Sequence, residues 1–176
     1  LSIKSLMAVV GVMPAGDITF KIEPDVIEVS GGDAHLSFRS IISPEDFPMM
    51  AKVSGEAASF NIGQADIRRI INLSFHCISM EETRYYLNGL YLCNKTGSQT
   101  LRGVATDGHR MAVIDSVADV GYFDGVTVPT SALKLIMAAT SDAANAPARV
   151  RIDEMRLTIE VAGARITTKL IDGTYP

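Results

Sequence analysis

The sequence predicts an α+β protein in which a few helices lie on larger antiparallel sheets. Three observations carry this. Residues 63–79 place Ile67, Ile70, Ile71, Ser74, Phe75 and Ile78 at helical spacing. Alternating runs meet at Asp107-Gly108 and again at Ala162-Gly163, where glycine supplies the backbone freedom that a tight hairpin needs. A third signal is an internal repeat. Ile3, Lys4, Met7 and Ala8 return 130 residues later as Leu133, Lys134, Met137 and Ala138. At the same offset Ile18, Phe20 and Ile22 answer to Ala148, Val150 and Ile152, and Leu36, Arg39 and Ile41 to Ile166, Lys169 and Ile171. Phe47-Pro48 and Tyr175-Pro176 close the two copies, so residues 1–48 and 131–176 each read as a helix followed by three strands.

In chain order, a helix over 1–10 opens the first copy and its three strands follow. Residues 49–57 lack a clean period and are expected to be a linker. The helix over 63–79 comes next. Residues 83–92, rich in Tyr and Leu, read as a strand. Leu101–Thr106 and Arg110–Ser116 form the first hairpin, 119–125 a loop and 125–129 a short strand. A helix over 131–140, a loop over 141–147 and a hairpin over 156–171 complete the second copy.

Composition narrows the function. The 176 residues are 47% hydrophobic and 20% charged, the balance of a chain with a real core. The longest apolar run, Leu6 to Met13, is eight residues long and too short to span a bilayer. The start of the chain shows no leader pattern, so no membrane role is expected. Cys77 and Cys93 stand apart, without CxxC or histidines at zinc spacing. No disulfide framework, metal or cofactor is expected, and the cytoplasm is the expected compartment. No GxGxxG or P-loop pattern supports nucleotide binding. A hydrolase built on Asp107 and His109 lacks GxSxG, and its two members sit across a turn where neither orients the other.

Charge placement is the most informative physical feature. The three helices carry Lys4, Arg68, Arg69 and Lys134 against Asp66 alone, a net +3 that leaves −7 for the rest of a chain whose total is −4. Sheets and loops are therefore expected to be acidic. On the 63–79 helix, Arg69, Asn72 and His76 share a stripe opposite the isoleucines. Such a face suits sequence-blind contact with phosphates, but four cations are few and on charge alone the plainer reading is an ordinary solvated helix surface.

Two motifs make a resemblance specific. Glu82 to Gly89 (Glu-Thr-Arg-Tyr-Tyr-Leu-Asn-Gly) and Val104 to Arg110 (Val-Ala-Thr-Asp-Gly-His-Arg) resemble signature segments of the bacterial DNA polymerase III beta subunit, the sliding clamp family. Lys169 to Pro176 resembles the close of that family's middle domain, and Asp46-Phe47-Pro48 the close of its first. The resemblance implies the DNA-clamp fold, with residues 1–57 as the second half of domain one plus linker and 58–176 as domain two. The start of domain one and all of domain three are then expected to lie outside this sequence.

The resemblance also implies a non-catalytic processivity factor. Two full subunits form a head-to-tail ring that encircles duplex DNA and tethers the replicative polymerase. Its DNA-facing positions match Lys4, Arg68, Arg69 and Lys134, with Arg84, Tyr85 and Tyr86 meeting duplex or single-stranded template. On a strand, alternation would send the two tyrosines to opposite faces. A partner pocket maps to Leu87, Thr106, Gly108, His109, Arg110, Met111 and Pro176. There the polymerase III alpha subunit, the clamp loader, other polymerases and repair proteins insert short apolar peptides. From the residues alone, Asp107-Gly108 reads first as a plain hairpin turn and Met111 as core. A peptide-binding scaffold without DNA contact is the alternative function.

Overall fold

The computed structural model describes residues 3–39, 44–46, 48–50, 58–94, 99–118, 120–144, 146–161 and 163–176. The chain divides into two compact units, 1–50 and 51–176. Most of the expected linker, and Ile41 and Phe47 of the repeat, lie outside the described residues.

The smaller unit holds α1 (Ile3–Val12) and a three-stranded antiparallel sheet of β1 (Thr19–Ile22), β2 (Val26–Gly31) and β3 (Ala34–Arg39), followed by a 3-10 turn at Pro44–Asp46. The larger unit starts with β4 (Ala58–Ile62), α2 (Gln64–Ser74), β5 (Gly89–Asn94), β6 (Thr100–Thr106) and β7 (Met111–Val117). It continues with β8 (Val126–Pro129), α3 (Thr130–Ala139), β9 (Ala148–Ile152), β10 (Arg156–Val161) and β11 (Ala164–Lys169). No helix of the described residues is long and apolar enough to cross a membrane.

The repeat is exact in position for two of its three strands. β2 and β3 coincide with β10 and β11 at the offset of 130, and so does their pairing. Ile22 opposes Ile27 as Ile152 opposes Leu157, and Val26 opposes Arg39 as Arg156 opposes Lys169. Burial does not repeat. Val150 and Ile152 are 2% and 3% exposed, whereas their counterparts Phe20 and Ile22 are 44% and 72% exposed. The difference has a cause within the larger unit. There β9 gains β4 as a second neighbour, and Phe60 and Ile62 of β4 join the core.

Two four-stranded antiparallel sheets, ordered β11-β10-β9-β4 and β7-β6-β5-β8, make up the larger unit. Each half lends a strand to the other: β4 precedes α2 yet pairs with β9, and β8 precedes α3 yet pairs with β5. One core fills the space between these sheets and the two helices. It includes Ile67, Ile70 and Ile71 of α2, Leu133 and Ile136 of α3, Leu90 and Leu101 of one sheet, and Val150 and Ile159 of the other.

Two expectations need correction. The helix expected over 63–79 leaves α-helical geometry at Ser74, whose hydroxyl donates back to the Ile70 carbonyl at 2.7 Å, and continues only as a 3-10 turn to Cys77. Residues 83–92 are not one strand. Glu82–Leu87 is 3-10 helical with a kink at Arg84, and strand geometry starts at Gly89. Local bonds outweigh the β propensity of the tyrosines here: the Asn88 backbone N–H donates to the Tyr85 carbonyl, and the Asn88 side-chain amide to the Glu81 carbonyl.

The helix layer sits close to the sheet because β6 offers a glycine beneath it. A Cβ built on Gly103 would collide with Cγ2 of Ile70, which is itself fully buried. Gly103→Ala should therefore destabilise the larger unit by about 1–3 kcal/mol through overpacking. Urea denaturation should show a lower midpoint at unchanged slope.

Candidate functional site: a cationic helix layer and a three-segment junction

The four helix cations differ in what they touch. Lys4 and Lys134 are exposed. Arg69 is exposed as well, with its guanidinium donating to the Asp115 carbonyl of β7 at 2.7 Å. Asn72 and His76 are exposed with it, so the polar stripe read from the sequence faces solvent. Arg68 is engaged differently. Its guanidinium donates to the carbonyls of Met137 and Thr140 (2.8 Å for the latter) and pairs with Asp142 at 2.9 Å, leaving the side chain 20% exposed. The last carbonyls of a helix lack intrahelical partners, and a cation there also meets the negative end of the helix dipole. Arg68 thus caps α3 from α2, and its role is structural before anything else.

A second locus forms where three segments meet: the Glu82–Leu87 turn, the hairpin between β6 and β7, and the last residues of the chain. Asp107 organises the hairpin. Its Oδ1 accepts the backbone N–H groups of His109 and Arg110, both at 3.0 Å, and its Oδ2 pairs with Arg110 Nε at 3.0 Å. Gly108 adopts φ +89, a conformation that favours glycine. The Thr106 hydroxyl bridges the loop, accepting from Gly108 N–H and donating to the Arg110 carbonyl. The two backbone N–H groups, helped by Arg110, pull the Asp107 carboxyl down to about 2. Among the described residues, the polar bonds of that carboxylate go to the loop itself rather than to the His109 ring.

The first segment reaches the hairpin through Arg84. Its guanidinium forks onto Glu81 (2.8 and 2.6 Å) and lies against Gly108, where an added Cβ would come within 2.6 Å of Nη1. That hydrogen-bonded pairing holds the Glu81 carboxyl below its ordinary value and the Arg84 guanidinium above its own. The last segment reaches both others. The Tyr175 hydroxyl accepts the Thr106 backbone N–H at 2.9 Å, its ring stacks on Tyr91 with centroids 4.8 Å apart, and Gly173 packs against Tyr85 and Tyr86. Burial raises the Tyr175 and Tyr91 hydroxyls above the usual tyrosine value. Ile171 N–H donates to the Thr127 carbonyl and anchors the segment to β8.

Among the pocket positions read from the sequence, Leu87 and Thr106 are buried, while Gly108, His109, Arg110, Met111 and Pro176 are exposed. The three segments that carry them adjoin. Tyr85 is exposed and Tyr86 half-buried, with the rings edge to face at 5.9 Å. A 3-10 turn, not strand alternation, sets their directions, since successive residues turn by about a third of a circle. Arg84 lies with the hairpin, where Glu81 balances its charge. Sequence reasoning missed Glu81, Tyr91 and Tyr175. The i, i+3 spacing of Glu81 and Arg84, and the place of Tyr175 in the closing Tyr-Pro pair, were the available signals.

The charge reading also needs correction. The sheets are not uniformly acidic, because one outward face of the larger unit carries Arg149, Arg151, Arg156, Arg165 and Lys169. The alternation of arginine with apolar residues over 148–152 was visible in the sequence.

Comparison with known proteins agrees with this architecture. Residues 61–176 match the family model described as DNA polymerase III beta subunit, central domain. The beta sliding clamp of Caulobacter vibrioides is 33% identical over 143 residues, covering 77% of this chain and 37% of that protein. That of Rickettsia bellii is 31% identical over 181 residues, covering 100% and 47%. The crystal structure of the DNA polymerase III subunit beta from Pseudomonas aeruginosa superposes with a TM-score of 0.86 at 27% identity, covering 98% of this chain and 47% of that one. The chain spans less than half the length of these relatives. It belongs to the DNA polymerase III beta subunit family.

Two outcomes follow from the geometry. Arg68→Ala should lower stability in urea by about 1–3 kcal/mol, because it strips donors from carbonyls at the end of α3, whereas Arg69→Ala should change it far less. For Asp107, whose folded value is depressed, the stabilising contribution is complete above the ordinary carboxylate value of about 4 and is lost as pH falls through about 2. A carbon-detected titration should find the Asp107 carboxyl midpoint near 2. Asp107→Ala should speed amide exchange at His109 and Arg110 without unfolding the sheet.

Proposed function

We propose, on the premise of that family membership, that this chain works as part of a non-catalytic sliding clamp. The clamp encircles duplex DNA as a homodimeric ring and tethers a replicative polymerase in the cytoplasm. Residues 1–57 would supply the second half of clamp domain one and its linker, and 58–176 the middle domain. The observation that carries the reading is the exposed cationic stripe on the helix layer, Arg69 with Asn72 and His76 on α2 and Lys134 on α3, in a chain whose net charge is −4.

The physical logic is that a closed ring is held on DNA by topology. Its contacts need only be weak and blind to sequence, and phosphate contacts are both. Lys4 would join Arg69 and Lys134 in this role, with Arg68 contributing mainly through α3. Tyr85 and Tyr86, beside Arg84, would meet template bases by stacking, which is likewise indifferent to sequence.

The junction of the three segments is the proposed docking place for short apolar peptides of the polymerase III alpha subunit, the clamp loader, other polymerases and repair proteins. Met111 is 60% exposed and conformationally adaptable. With Leu87 and Pro176 it would give an apolar floor, while His109 and Arg110 supply polar edges around Thr106 and Gly108. A peptide-binding scaffold without DNA contact is the second reading, favoured by the commitment of Arg68 to α3, which leaves fewer cations for DNA. No metal or cofactor enters either reading.

Charge reversal separates the two. Arg69→Glu with Lys134→Glu should weaken binding of a labelled duplex at low salt by about tenfold or more while leaving the affinity for a clamp-binding peptide unchanged. Unchanged duplex binding in fluorescence anisotropy would favour the scaffold.

A further inference from the structure

The outward face of the β11-β10-β9-β4 sheet carries charge that the helix reading does not use. Strand alternation sends Val150, Ile152, Leu157 and Ile159 into the core, so their neighbours along each strand point away from α2 and α3. The register arranges these neighbours in rows across the sheet. Asn61, Arg149, Glu160 and Arg165 form one row, and Ser59, Arg151, Thr158 and Thr167 the next. Arg156 opposite Lys169 begins a third. Five cations share this face with two carboxylates, Glu160, which Arg165 Nε meets at 2.7 Å, and Asp153, which the turn sets opposite Arg156.

Adjacent strands stand about 4.8 Å apart, and alternate residues along a strand about 6.6 Å apart. The cations therefore form a grid whose spacing is on the scale of one to two axial rises, of about 3.4 Å per phosphate, along one DNA strand. Between them lie the exposed hydroxyl of Ser59 and amide of Asn61, while the Thr158 and Thr167 hydroxyls bond to each other at 2.9 Å. A folded protein partner binds through a central aromatic or aliphatic anchor, and these rows contain none. A membrane surface asks for an apolar insertion beside the basic patch, and the rows offer none of that either. A repeating polyanion needs only spaced cations and hydrogen-bond donors.

We propose that this sheet face is a second binding surface for the phosphodiester backbone of nucleic acid, indifferent to sequence and set on the side of the larger unit opposite α2 and α3. It stands on the sheet register and charge alone, and so does not depend on what the helices bind.

The test uses the full chain, with labelled duplex and single-stranded DNA titrated across a salt series. Arg149→Ser with Lys169→Ser removes two exposed cations, circular dichroism checks the fold, and Arg149→Lys keeps the charge. The double variant should bind about tenfold more weakly at low salt. Its slope of log affinity against log salt should flatten by up to about 0.9 per residue on duplex and about 0.7 on single strand, while Arg149→Lys binds like the parent. Combined with Arg69→Ser the losses should multiply, because the two faces are separate. A loss confined to one form of DNA supports the proposal and identifies that form as the ligand. Equal affinity and slope for parent and double variant on both DNAs would overturn it, as would no binding by the parent at low salt. Polyglutamate bound through Arg149 more tightly than either DNA would overturn it too, and assign the face to an acidic protein.

Discussion

The larger unit depends on an exchange of strands between its halves. β4 opens the first half but completes the sheet of the second, and β8 opens the second but completes the sheet of the first. Neither half can close its core alone, because Phe60 and Ile62 arrive with β4 and Val128 with β8. Each helix follows directly on a strand that is already bound to the opposite sheet. The helix layer is thus pinned at both starts, and one core is enclosed where two smaller ones would have been open.

The same exchange builds the junction on which partner docking is proposed. β8 ends at Pro129, and Thr130 then donates from both its N–H and its hydroxyl to the Asn88 carbonyl, at the point where the 3-10 turn gives way to β5. Thr127 of β8 receives Ile171, which brings the last segment alongside the Asp107 hairpin and lets Tyr175 bond to Thr106. A partner peptide would meet three segments whose positions all trace to one exchanged strand. Their rigidity favours binding by reducing the ordering that docking requires.

Much of this was legible in the sequence because repeats and periods report on chain geometry directly. The offset of 130 aligned β2 with β10 and β3 with β11 residue by residue, and the isoleucines of α2 announced their buried face. What stayed hidden were matters of partnership. Phe20 and Val150 occupy equivalent places, yet only Val150 is buried, since among the described residues only its strand pairs with a second neighbour. Tyr85 and Tyr86 suggested a strand until hydrogen bonds from Asn88 closed a turn around them. Arg68 resembled Arg69 on paper, but a guanidinium one position along the helix points to the carbonyls of α3. Summing charge over whole sheets likewise hid the basic face, because a sheet has two sides and the register decides which residues share one.

The central functional claim is contact with DNA through the helix layer without regard to base sequence, and chemical-shift mapping with two unrelated duplexes tests it most directly. The account predicts perturbed amides along α2 and α3, with the same pattern for both duplexes and fading together as salt is raised. Silence in both helices, or a pattern that changes with the base sequence, would contradict it.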